Sequence, residues 1–143
     1  MSTISKVSNP GILWVASGII NSKALSPEEF CSWYEEVHIQ EVTALSGVPG
    51  AARYEAVQIV PADAPKPAWL LGARWLTMYE MPDIAFRHTE EFAGLDGQSE
   101  PNKDLLDKVF KNARFETRFL ELIQTHESEL GRKMKGNCIF FLI

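Results

Sequence analysis

The chain is short of the residues that metal, redox and disulfide chemistry need: among 143 residues there are 2 cysteines and 3 histidines. Cys31 and Cys138 belong to no CxxC pair or Cys/His cluster, so the spacing of a structural zinc site is missing. They lie far apart in sequence, and the plain expectation is two free thiols in a reducing compartment. His38, His88 and His126 have no short ligand spacing and no facial-triad carboxylates beside them. No metal and no cofactor are therefore expected. A glycine-rich phosphate loop is absent too, which removes the Rossmann and P-loop readings. Positive charge is scarce. The net charge is -5, and the nearest thing to a basic cluster is Arg132, Lys133 and Lys135, read here as a solvated tail. Without a basic footprint, nucleic acid and anionic membrane are disfavoured as partners. The longest apolar runs are strand-length, so no transmembrane helix is expected. The opening MSTISKVSNP has no basic segment leading into an apolar run, unlike a signal peptide. The cytoplasm is the expected location.

What is present is enough for one domain with a real core. A hydrophobic fraction of 45% and a charged fraction of 23% are ordinary for a globular protein. Residues 1–10 read as a loose arm, ended by the turn chemistry of Asn9-Pro10-Gly11. Gly11 to Ile20 is short, apolar and β-branched, a buried strand. Ser26-Pro27-Glu28-Glu29 opens a helix, with Ser26 as N-cap, Pro27 at the first position and Glu29 completing a capping box. At roughly 100° per residue, Phe30, Tyr34, Val37 and Leu45 share one face. His38 borders that face, Glu41 falls within it, and Trp33 lies off it. Gly47 ends the helix and Pro49-Gly50 turns the chain.

Strands are expected over Ala51 to Val60 and Trp69 to Tyr79, separated by the proline-rich PADAPKP loop. The second of these is apolar on both faces, apart from Arg74. A helix from Pro82 to about Phe92 would place Ile84, Ala85, His88 and Phe92 inward. Asn102 caps a further helical stretch to about Asn112, and Ala113 to Thr125 alternates as a strand. Residues 11–126 form the domain and 127–143 the tail, whose CIFFLI end is a weak strand candidate needing cover. The order β-α-β-β-α-β is the ferredoxin-like α+β arrangement, one sheet with its helices on a single face. The other sheet face needs a cover. A second copy is the simplest one, and two stacked sheets enclose a barrel-like cavity.

FCSWYEEVHIQEV followed by GVPGAARY resembles the signature of EthD-type proteins of the dimeric α/β-barrel superfamily. The matching positions are Phe30, Trp33, Tyr34, His38, Pro49, Gly50, Arg53 and Tyr54. ARFETRFLELIQTHE is similar to the last strand of the repeat in fungal members. Gln40 stands where the family usually carries proline, and the chain holds one repeat where many fungal relatives hold two. The resemblance implies a homodimer through the sheet face that supplies the second half. It also implies a small-molecule enzyme, in a superfamily of cyclases, isomerases, lyases and cofactor-free oxygenases.

His38 is the first candidate for acid/base work, since an ordinary imidazole pKa near 6.5 suits proton transfer at neutral pH. Glu41, three residues on, would orient it, and Tyr34, four residues before, can reach it. Tyr34 then donates to a developing oxyanion, or else it simply packs. Arg53 or Arg74 would bind a carboxylate or enolate, the alternative being ion pairs with Glu55 or Glu116. Tyr54, Trp75 and Tyr79 line an aromatic pocket or fill the core. His88 is a second proton-transfer candidate. The expected activity is cofactor-independent proton-transfer chemistry (cyclisation, dehydration or isomerisation) on an aromatic or polyketide-like molecule. A cofactor-free oxygenase and a non-catalytic ligand-binding subunit are the alternatives.

Overall fold

Four strands carry the molecule: β1 (Gly11–Ile19), β2 (Ala51–Glu55), β3 (Trp75–Met81) and β4 (Ala113–Glu121). In this computed structural model the described residues are 9–57, 63–65, 72–95 and 102–133. Most of the expected N-terminal arm, the ends of the second and third strands at 58–60 and 69–71, and the CIFFLI terminus lie outside them. The sheet order is β2-β3-β1-β4 and every neighbouring pair is antiparallel. This is a mixed α+β fold on a four-stranded antiparallel sheet, and its order is consistent with the ferredoxin-like arrangement.

The register sorts the side chains onto two faces. Directly opposed residues of an antiparallel pair point the same way. Leu13, Val15 and Ser17 of β1 oppose Tyr79, Thr77 and Trp75 of β3, and Phe119, Thr117 and Phe115 of β4. Arg53 of β2 opposes Thr77. The helices pack on this face. Phe30 and Tyr34 join Trp75, Val109 and Ala113 in one buried cluster, and Val42, Ile84 and Phe92 join Leu13, Val15, Tyr79 and Met81 in another. The opposite face shows Ile12, Trp14, Tyr54, Leu76, Met78 and Leu120.

Helix starts are chemically marked. Ser26 Oγ accepts from Glu29 N at 3.2 Å while Glu29 Oε2 accepts from Ser26 N at 3.4 Å, the expected capping box of α1 (Pro27–Trp33). Its helix continues through a π-turn over Tyr34–His38 into α2 (Ile39–Thr43). Past that helix, the approach of Phe86 fixes the residue at 47: a Cβ on Gly47 would stand 2.2 Å from the Phe86 ring.

The helix expected over Pro82 to Phe92 is two pieces. A 3-10 turn, Ile84–His88, is capped by Asp83, and α3, Glu90–Ala93, is capped by Thr89. Thr89 at φ -81°, ψ 155° is extended, so the helical phase restarts there and His88 is exposed instead of inward. Asn102 caps α4 (Lys103–Leu105), which runs into a second π-turn, Leu106–Phe110. α5 (Glu129–Lys133) lies in the tail. Among the described residues no helix is long and apolar enough to cross a membrane.

Candidate functional site

The π-turn decides what the first helix presents to the sheet. Ile39 N donates to Tyr34 O, a bond spanning five residues where an α-helix spans four. One extra residue is thereby absorbed, and everything beyond it is shifted in phase. A regular helix would bury Val37 and Glu41. Instead Val37 is 44% exposed, Glu41 is exposed, and Val42 is buried at 2%. The same wide turn stacks residues five apart. The rings of Trp33 and His38 lie 4.9 Å apart at 21°, and Tyr34 meets His38 edge-on at 5.2 Å. Trp33, expected off the apolar face, is therefore the ring against which His38 is held. Phe110, at the end of the second π-turn, closes on Trp33 at 5.8 Å.

His38 and Tyr34 open into a cavity of about 250 Å³ between the helix layer and the β1/β4 side of the sheet. Its walls are otherwise Leu13, Val15, Val42, Phe92, Leu95, Phe110, Phe115 and Thr117. A concave, mostly aromatic and aliphatic site with a few convergent polar groups is the usual form of a small-molecule pocket, and this one is at the small end.

Behind Tyr34 lies a buried polar cluster. The Tyr34, Thr77 and Tyr79 side chains are essentially inaccessible, and their hydroxyls form no hydrogen bond of proper geometry. Burial pushes the Tyr34 phenol above its ordinary pKa near 10, opposed by polar contact with Thr77 and Tyr79 and by the Arg53 cation. Burial also pushes the Tyr79 phenol up, reinforced by its proximity to Tyr34, with Arg53 again opposing. The Arg53 guanidinium carbon sits 4.1 Å from the Tyr34 ring centre and 5.4 Å from that of Trp75. Its side chain is 8% exposed; Nε approaches Glu35 at 3.3 Å and Nη2 donates to Cys31 Sγ at 3.4 Å. Cys31 is a free thiol, and Cys138 lies outside the described residues.

Of the residues singled out in the sequence, His38, Tyr34, Arg53, Trp75 and Tyr79 come together on the helix-facing side of one chain. Tyr54 points to the opposite face, 42% exposed, because neighbouring strand residues alternate. His88 lines a separate hollow with Arg87 and Glu121. Arg74 is ion-paired with Glu55 at 2.7 Å on the surface. These residues thus lie within one chain, on the helix-facing side of its sheet. Sequence reasoning took Trp33 for a packing residue off the helix's apolar face and passed over Thr77, Phe110 and Phe115. The i to i+5 spacing of Trp33 and His38 was the available signal, and it is readable only once a π-turn is known. Among the described residues no group of three or more His, Cys, Asp or Glu side chains is placed to hold a metal.

No family model matches this chain, and no curated protein matches it. The crystal structure of HapK from Hahella chejuensis is similar at a TM-score of 0.47 and 15% identity, over 82% of this chain and 97% of that one.

Proposed function

We propose that this protein is a cofactor-independent enzyme of EthD type that moves a proton on a small aromatic or polyketide-like substrate. The cyclisation, dehydration and isomerisation reactions of such molecules all need that step. One observation carries the reading: an imidazole held between two aromatic rings at the wall of a cavity lined mostly by aliphatic and aromatic residues. The stack on Trp33 fixes the His38 ring plane, so its acid/base nitrogen is pre-aimed and little orientation entropy is lost on reaction. Tyr34, protonated throughout the neutral range, supplies a hydrogen bond to the oxygen on which charge develops. Glu41 is exposed and takes no part in lining the cavity. The reading places the protein in a reducing compartment such as the cytoplasm.

The same reading has the chain pair with a second copy through its open sheet face into a dimeric α/β barrel. That face carries Trp14, Tyr54, Leu76 and Leu120, and a hollow of about 600 Å³ lies over Ile12, Met78 and Leu120.

The test follows exchange of acidic C–H protons for deuterium in a panel of small phenolic ketones. His38→Gln should lower the catalysed rate by about 10²- to 10⁴-fold. A folded variant that exchanges at the parent rate removes His38 from the chemistry. Saturable ligand binding with no exchange by either protein would identify a binding subunit instead.

A further inference from the structure

Arg53 is an unusual place to find a cation. Its side chain is only 8% exposed, and the carboxylate facing it, Glu35, is 59% exposed and meets Nε at 3.3 Å without hydrogen-bond geometry. An ion pair open to water on one side contributes little. Nη2 is spent on a thiol, a weak acceptor, and Nη1 has no hydrogen-bond partner. The faces of Tyr34, Trp75 and Phe30 hold the guanidinium by cation–π attraction, but ring faces do not satisfy in-plane N–H donors. Beside it, the hydroxyls of Thr77 and Tyr79 are in polar contact with that of Tyr34, but without good hydrogen-bond geometry. A buried donor left unmade is costly, and four groups of this kind share one corner of the interior. Every one of them can donate a hydrogen bond and one carries positive charge. That combination is complementary to an anionic oxygen. Tyr34 is the member that reaches the cavity wall.

We infer that the Tyr34 end of the cavity is an oxyanion subsite that selects a small aromatic acid or phenolate, with the ring beside Phe110 and Phe115. Tyr34 donates to the anionic oxygen directly. Tyr79, Thr77 and Arg53 sustain it from behind, the cation making the potential at the phenol oxygens more positive. Arg53 is in this sense a positioning and electrostatic residue, not a catalytic one. The inference rests on reading the cavity as the ligand site, and it adds the charge of the ligand.

Calorimetric titration of the parent chain with benzoate and with benzamide, its neutral isostere, reads this directly. Benzoate should bind at least about tenfold more tightly than benzamide, the factor expected for a charge-assisted hydrogen bond over a neutral one. In Tyr79→Phe and Arg53→Met, with melting curves confirming the fold, that preference should fall below about threefold. Tyr79→Phe removes only a hydroxyl and keeps the test open where Arg53→Met does not fold. Equal affinities, no binding of benzoate, or an undiminished preference in Tyr79→Phe would each overturn the inference. Failure here leaves the His38 exchange result untouched, and loss of His38 function leaves the charge preference intact, so the two readings fall separately.

Discussion

Tyr34 and Tyr79 bury their phenols beside each other, and the cost appears in the alkaline range. In the unfolded chain both ionise near pH 10, whereas burial holds both protonated in the fold. Above pH 10 the unfolded state therefore binds fewer protons than the folded one. Stability is full below that pH and falls as pH rises, by about 1.4 kcal/mol per pH unit for each tyrosine. Urea midpoints compared between the parent and Tyr79→Phe should diverge above pH 10, with the variant losing stability less steeply; parallel curves would show that Tyr79 titrates as it does when unfolded. At neutral pH the same substitution removes an unsatisfied hydroxyl and should be neutral or stabilising by up to about 1 kcal/mol, while weakening anion binding. Both outcomes together would mark Tyr79 as part of a ligand site.

At the scale of the element, the π-turn over Tyr34–His38 is the deciding feature. A uniform α-helical wheel assigns Val37 to the core and leaves out Trp33. The extra residue in the turn reverses both. Val37→Asp should therefore cost less than about 0.5 kcal/mol, while Val42→Ala, losing two methyl groups in a packed cluster, should cost about 2 kcal/mol. Chemical denaturation of the two variants distinguishes the phases; the reverse order would mean a continuous α-helix. The far end of the helix offers a second check. Gly47→Ala drives a methyl into the Phe86 ring and should cost about 1–3 kcal/mol, whereas at an unobstructed helix end the change would be almost free. The caps at Ser26 and Asn102 needed no such correction, because a side chain bonding the backbone three residues away is a local event.

The whole molecule has two unlike faces. One is filled by helices and holds the His38 cavity; the other is an open sheet surface where Tyr54 and Leu120, more than two-fifths exposed, stand with the charged Glu80, Arg114, Glu116 and Arg118. The proposed pairing predicts a dimeric mass by light scattering, and conversion to a monomer with unchanged circular dichroism in the double variant Tyr54→Glu, Leu120→Glu. A parent chain that stays monomeric at all accessible concentrations contradicts the barrel. Because His38, Tyr34 and Arg53 come from one chain, the monomeric variant should still bind benzoate.

The amino-acid sequence alone determined the order of strands and helices and the caps at Ser26 and Asn102. Each of these depends on residues within a few positions of one another. The helix expected to end at Gly47 stops at Thr43, with Ala44 as its cap. The tertiary structure decided the rest. Strand register placed Arg53 against Thr77 and sent Tyr54 to the opposite side. The extended residue Thr89 reset the second helical stretch and exposed His88. Packing against the sheet selected a π-turn, and with it the stack of Trp33 on His38. Hydrogen-bond register and helix phase are settled by the burial of the whole layer, and no local pattern of residues contains that sum.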